Sequence, residues 1–148
     1  MKILYIIGNG FDICHGINSK YSDYHEWLVK NDNSIYEKIC AIYDTYGYEW
    51  WNNFEQSLSK VCFDYINKTS SENAPVYGSD DFNDADNHRA SVQVELDMQN
   101  LLDSIKLSME SWINGLNKAN KEKLRIEAKD HSFFITFNYT KTLEEVYD

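Results

Sequence analysis

The stretch Ile3-Leu4-Tyr5-Ile6-Ile7-Gly8-Asn9-Gly10-Phe11-Asp12 decides how the chain is read. Ile3 to Ile7 is an uninterrupted apolar run, rich in isoleucine and closed by a glycine. A strand with one wet face would alternate apolar and polar residues. This one does not, so it is expected to be covered on both faces, as strands of a parallel sheet are. Two glycines follow within three residues. They let the backbone turn sharply and let a ligand come close to the main chain. Successive N–H groups in such a turn, ahead of a helix, can hold an anion.

Helical periodicity takes over beyond the turn. Tyr24, Trp27 and Leu28 open a short helix, and Tyr36, Ile39, Cys40 and Tyr43 mark a second, which Gly47 is placed to stop. Trp51, Phe54, Leu58, Val61 and Tyr65 step by three and four, which predicts a third amphipathic helix. Residues 68–91 gather Ser, Asn, Asp, Gly and the single proline, Pro75, and read as a mobile polar loop. Met98, Leu102, Ile105, Met109, Trp112 and Leu116 then predict one long helix over residues 91–117. Its narrow apolar seam suits either core packing, the commoner use, or a partner chain such as a second copy. A Lys-rich polar stretch, 118–129, leads to a second strand candidate at 131–139, and Thr140 to Tyr147 turns helical again.

Strand, helices, strand, helix is an α/β order. It predicts a parallel, doubly wound, Rossmann-like sheet with a large helical insertion, about residues 20–130, between its two strands. Such sheets usually have about five or six strands. Two strand candidates therefore read as an incomplete sheet, and residues 1–148 as a single, truncated, N-terminal nucleotide-binding-type domain.

Composition narrows the function. Apolar residues make up 43% and aromatics 15%, enough buried surface to offset chain entropy and to exclude intrinsic disorder. With 14 basic and 24 acidic side chains, the net charge of -10 offers no Lys/Arg footprint to a nucleic acid. No run approaches the ~18 apolar residues of a membrane span, and the first residues lack a signal-peptide core and cleavage site. The cysteines, Cys14, Cys40 and Cys62, are odd in number, and two of them sit on apolar helical faces as buried thiols. A cytoplasmic location is expected. Asp84, Asp86, His88 and Glu95 follow calcium-loop spacing in part, but Arg89 stands where the loop needs glycine, and no Cys/His spacing suits zinc. No metal is expected.

Two strand-end segments carry the chemistry. The first is Gly8-Asn9-Gly10-Phe11-Asp12. A dinucleotide-binding loop would have a third glycine at position 13, where Ile13 stands, and a strand-to-helix turn without a ligand would look the same. Asp12 repels phosphate and suits ribose hydroxyls, a base N–H, or the cap of the next helix. The second is Thr136-Phe137-Asn138-Tyr139-Thr140. Carboxyl ends of strands line the ligand crevice of an open α/β sheet, so Asn138 and the glycine turn would meet at one edge. Asn138 can orient a sugar hydroxyl or a water, or cap a helix. His15, just past the turn, suits a ligand phosphate or a structural role equally. Glu55 borders the apolar face of the third helix, where a buried carboxylate would need a partner.

Three blocks carry a resemblance. Tyr5 to Ile17, with Tyr21 and Tyr24 downstream, Trp51-Asn52-Asn53-Phe54-Glu55-Gln56-Ser57-Leu58, and Phe134 to Thr140 resemble the bacteriophage abortive-infection AbiH family, in the same order. Ile13-Cys14 stands where that family tends to have Leu-Ala, and Asn53 where an acidic residue is common. The family is similar, more distantly, to sirtuin-like proteins, many of which bind and cleave NAD. The resemblance implies an antiviral protein with NAD or a related adenine nucleotide as ligand. It implies that Gly8, Asn9, Gly10, Phe11 and Asp12, with Thr136, Phe137 and Tyr139, hold the nucleotide. Asn138 would lie beside the ribose carbon bearing nicotinamide, with His15 and Glu55 as further catalytic candidates. Thr140 stands where the sirtuin-like segment has aspartate, and the sirtuin-like histidine base comes later in the chain. A non-catalytic sensor or interaction module is the alternative expectation.

Overall fold

The computed structural model describes residues 2–43, 45, 48–72, 89–120, 127 and 131–147. Its elements run β1 (Ile3–Ile7), α1 (Gly10–Cys14), α2 (Tyr21–Asn31), α3 (Asn33–Ile42), α4 (Tyr48–Asn52), α5 (Phe54–Ser57), α6 (Phe63–Glu72), α7 (Arg89–Asn114), β2 (Ser132–Thr136) and α8 (Thr142–Tyr147). Two compact units result, residues 1–24 with 109–148, and residues 25–108.

The first unit holds the sheet. β1 and β2 pair in parallel, in register from Ile3 opposite Ser132 to Ile7 opposite Thr136. Both carboxyl ends therefore lie at one edge, as the α/β reading requires. Tyr5 stacks on Phe134 at 5.0 Å on one face. The other face departs from expectation. Leu4 is 54% exposed and Ile6 69%, and their partners Phe133 and Ile135 are 56% and 45% exposed. The continuous apolar run is the composition of a strand covered on both sides; among the described residues only one side is covered. α1 ends at Cys14 with His15 as its cap, and the next residue, Gly16, has a φ of 80°, in the left-handed region that favours glycine. The Asn117 amide donates to the Gly16 carbonyl at 2.8 Å, and Asn120 N–H to the His15 carbonyl at 2.9 Å. Tyr24 is fully buried with its ring 5.2 Å from Trp112.

The second unit is helical and aromatic. Asp32 caps α3 by accepting from the Ile35 N–H, and Ile35, Ile39 and Ile42 face inward at helical spacing. Tyr43 turns extended and ends the helix before Gly47, which lies outside the described residues. The single helix expected over Trp51 to Tyr65 is three helices. Asn53 leaves helical geometry at φ -112°, ψ 36°, with its amide on the Glu49 carbonyl. Ser59 takes the Gln56 carbonyl with its hydroxyl. Short polar side chains offer the backbone a rival to the helix ladder, and here they break it twice. The apolar spacing still serves packing: Trp51 stacks on Phe54 at 5.6 Å, and Trp50 meets both rings edge-on.

α6 reaches Glu72 and α7 begins at Arg89, so both ends of the segment read as a polar loop are helical; residues 73–88 lie outside the described residues. α7 stops at Gly115 rather than near 117, and Leu101, Ile105, Ser108 and Trp112 form its buried line. Met98, Leu102 and Met109 are only half-buried, so the seam is rotated from the one the spacing suggested. No cysteine is paired; Cys40 and Cys62 are half-buried and Cys14 is exposed. Among the described residues no helix is long and apolar enough to cross a membrane.

Candidate functional site

The parallel register brings the glycine turn and the Thr136–Thr140 segment to one edge. The Phe137 N–H donates to the Ile7 carbonyl at 2.9 Å, which extends the pairing one residue past β2. Gly8, Asn9 and Gly10 are exposed in the turn. Neither glycine has a positive φ, and a Cβ on either would meet nothing within 4 Å. The chain itself does not require glycine there. Asn9 does not cap α1; its side chain is tied to Ser19, donating to the Ser19 carbonyl at 2.8 Å and accepting from the Ser19 hydroxyl.

Asp12 is the centre of the arrangement. It is 1% exposed, and its Oδ2 accepts from the Thr140 hydroxyl at 2.7 Å across 128 residues of sequence. Thr140 has one hydroxyl proton, which goes to Asp12. The 2.8 Å contact between Thr140 and Thr142 is therefore Thr142 donating to Thr140. The relay Thr142 to Thr140 to Asp12 joins the turn after β1 to the segment after β2. Asp12 Oδ1 is buried without a partner.

His15 follows Asp12 by three residues and is also 1% exposed. Its Nδ1 lies 2.7 Å from the Phe11 carbonyl, which can only accept, so Nδ1 carries the proton. In the neutral ring Nε2 is then a bare acceptor, and it too is buried without a partner. The ring packs against Phe11 at 4.3 Å and, edge-on, Tyr147 at 6.2 Å. The third such atom is Asn138 Oδ1. Asn138 is half-buried, and its N–H donates to Thr136 Oγ1 at 3.2 Å. Phe137 and Tyr139 are 71% and 62% exposed. An open cleft of about 320 Å³ lies beside the relay, with Tyr139, Thr140, Thr142, Asn117 and Lys118 in its wall.

Of the residues expected at a site, Gly8, Asn9, Gly10, Phe11, Asp12, His15, Thr136, Phe137, Asn138 and Tyr139 belong to this unit. Glu55 does not. It is exposed on α5, in the second unit, where Phe54 and Ser57 are the buried residues. Sequence reasoning missed the part played by Thr140 and Thr142. The Thr-x-Thr spacing after the strand was the available signal. Among the described residues no three His, Cys, Asp or Glu side chains cluster to hold a metal ion.

A parallel strand pair with a glycine turn and a polar segment at its carboxyl edge, among helices, makes this a mixed α/β protein. The chain belongs to the family described as bacteriophage abortive infection AbiH, whose model matches residues 4–148. That membership assigns it to phage defence. No curated protein and no solved structure matches the chain.

Proposed function

We propose that this chain is the nucleotide-binding module of an abortive-infection protein, on a Rossmann-like, sirtuin-like sheet, and that it takes NAD or a related adenine nucleotide. The observation that carries the reading is the set of buried, unpaired polar atoms on Asp12, His15 and Asn138. Buried polar groups in native proteins are paired almost without exception, so each of these atoms calls for a partner, an ordered water or a ligand group. Gly8 and Gly10 fit the same reading. Their side-chain space is open, which lets a ligand lie against the main chain where no Cβ intervenes.

With NAD as substrate, the reaction is hydrolysis of the N-glycosidic bond. Water oxygen bonds to the ribose carbon, the carbon–nitrogen bond breaks, and nicotinamide leaves with the electron pair. One water proton stays on the oxygen as the new ribose hydroxyl, and the other goes to a general base. Asn138 orients ribose and water. Isothermal titration of NAD and ADP-ribose into the full-length protein tests binding, and nicotinamide release tests turnover. Binding lost in Asn138→Ala supports the reading. No heat with either ligand, together with Asn138→Ala equal to wild type in phage challenge, rejects it.

The exposed apolar face of Leu4, Ile6, Phe133 and Ile135 favours a second reading, a nucleotide-sensing or interaction module without turnover. Cellular NAD that stays constant while the expressed protein is toxic selects that reading.

A further inference from the structure

We infer that the cleft between α3, α6 and α7 is a second ligand site, and that it takes a small zwitterion with an apolar part, a free amino acid with an aliphatic side chain. The cleft holds about 280 Å³ and lies within the helical unit, residues 25–108, whereas the strand-end motifs belong to the other unit. This site and the nucleotide reading stand or fall separately.

Two helices line the cleft with the same order of side chains. Lys38, Ala41 and Ile42 fall at i, i+3 and i+4 on α3, and Asp97, Asn100 and Leu101 repeat that spacing on α7. Each helix therefore gives the cleft a charged side chain at one end of a face and a core aliphatic at the other. Ile42 and Leu101 are 5% and 2% exposed and form an apolar floor. Lys38 and Asn100 are exposed, and Asp97 is half-buried. Tyr65 of α6 completes the wall.

The charges single the cleft out. Asp97 is held by neutral donors, the Tyr65 hydroxyl at 2.7 Å on Oδ2 and the Gln93 amide at 2.8 Å on Oδ1. Burial, and then the bond to Asp97, raise the Tyr65 pKa above its usual 10, so the phenol keeps the proton it donates. A carboxylate has about four acceptor positions, so these two donors leave room for more and offset none of the charge. Lys38, on the other helix, forms no ion pair among the described residues. A cation and an anion that line one small cleft without meeting each other suit a ligand that carries both charges. An amino acid offers its carboxylate to Lys38 and the Asn100 amide, its ammonium to Asp97, and its side chain to Ala41, Ile42 and Leu101. A phosphate would satisfy Lys38 and be repelled by Asp97, and a polyamine the reverse. The volume lies just under the ~300–1,000 Å³ of sites for drug-sized ligands, which suits an occupant of amino-acid size.

The test titrates L-leucine into the full-length protein, by calorimetry and thermal shift. Leucinamide, which lacks the carboxylate, isocaproate, which lacks the ammonium, and glycine, which lacks the side chain, are titrated beside it. Leucine should bind most tightly, and loss of either charge should weaken binding roughly 10-fold. Lys38→Met should abolish the preference for leucine over leucinamide and keep that over isocaproate. Asp97→Asn should do the reverse. A merely structural role for either residue would weaken all the ligands alike and leave both preferences unchanged. Ala41→Leu, at an exposed position of α3, should fill the cleft and remove binding with helix content unchanged. No response to leucine at about 10 mM overturns the inference. So does binding of leucinamide, isocaproate or glycine as tight as that of leucine, or wild-type affinity in Ala41→Leu.

Discussion

The two units treat buried polarity in opposite ways. In the helical unit, residues 25–108, the core is rings and branched aliphatics: Trp51, Phe54, Tyr43, Ile39 and Leu28 are all 5% exposed or less. Its buried Ser108 hydroxyl is bonded to the Ile105 carbonyl. In the sheet unit, Asp12, His15 and Asn138 each bury an atom with no partner. Folding alone does not favour that, because an unpaired buried polar atom costs about 1–3 kcal/mol. Local conflicts of this sort are expected where a protein binds something, and rare where it only packs. The difference separates a unit whose buried Ser108 hydroxyl is paired from one that carries unsatisfied polar atoms.

Truncating the aromatic core is the largest blow the comparison predicts. Trp51 is 3% exposed, lies parallel to Phe54 and touches the rings of Trp50, His25 and Tyr36. Trp51→Ala should cost about 3–5 kcal/mol, lost transfer energy plus a cavity. Urea unfolding followed by far-UV circular dichroism measures it. A cost under about 1 kcal/mol would mean that the cluster is not a close-packed core, and the contrast between the units would fall.

The glycine turn tests the other side with a smaller and opposite effect. Gly10 begins α1 without a positive φ, and a Cβ there meets nothing within 4 Å. Gly10→Ala should leave stability unchanged or raise it by about 0.5–1 kcal/mol, since alanine restricts the unfolded chain more than glycine does. The same variant should bind NAD more weakly, because the methyl group fills space the ligand needs. A more stable protein that binds less well is the signature of a residue kept for function. Destabilisation would place the need for glycine in the fold, and unchanged affinity would remove the turn from the site.

The sequence was legible where one local rule decided the outcome. Ile3 to Ile7 read as a parallel strand because its apolar run had no alternation, and the pairing with β2 followed from strand order. The carboxyl-edge meeting of the two motifs followed from that same pairing. Covering of both faces did not, because composition records what a strand is suited to and not what covers it. The single helix over Trp51 to Tyr65 failed for a different reason. Apolar spacing survives a helix break when each piece packs its own rings, and the breaks came from Asn53 and Ser59 bonding to the backbone. The Thr140–Asp12 bond spans 128 residues, and no spacing rule reaches that far.

The mildest expected effect again concerns the aromatic unit, and it is a pH dependence. His25 sits with its ring 4.5 Å from Trp51 and 5.5 Å from Tyr36. Burial lowers its pKa below the usual 6.5, opposed in part by the neighbouring Glu26 carboxylate. A histidine whose folded pKa lies below the unfolded one binds fewer protons when folded. Its stabilising share is therefore full above pH 6.5 and falls as the pH drops through the lowered folded value. Wild type should lose more stability between about pH 8 and about pH 5 than His25→Phe does, because phenylalanine keeps the ring contacts and removes the proton site. Paired urea titrations at the two pH values isolate the difference, since the carboxylates titrate alike in both proteins. Parallel pH profiles would show that the ring stays as well solvated in the folded unit as in the open chain, and that this unit's core ends short of His25.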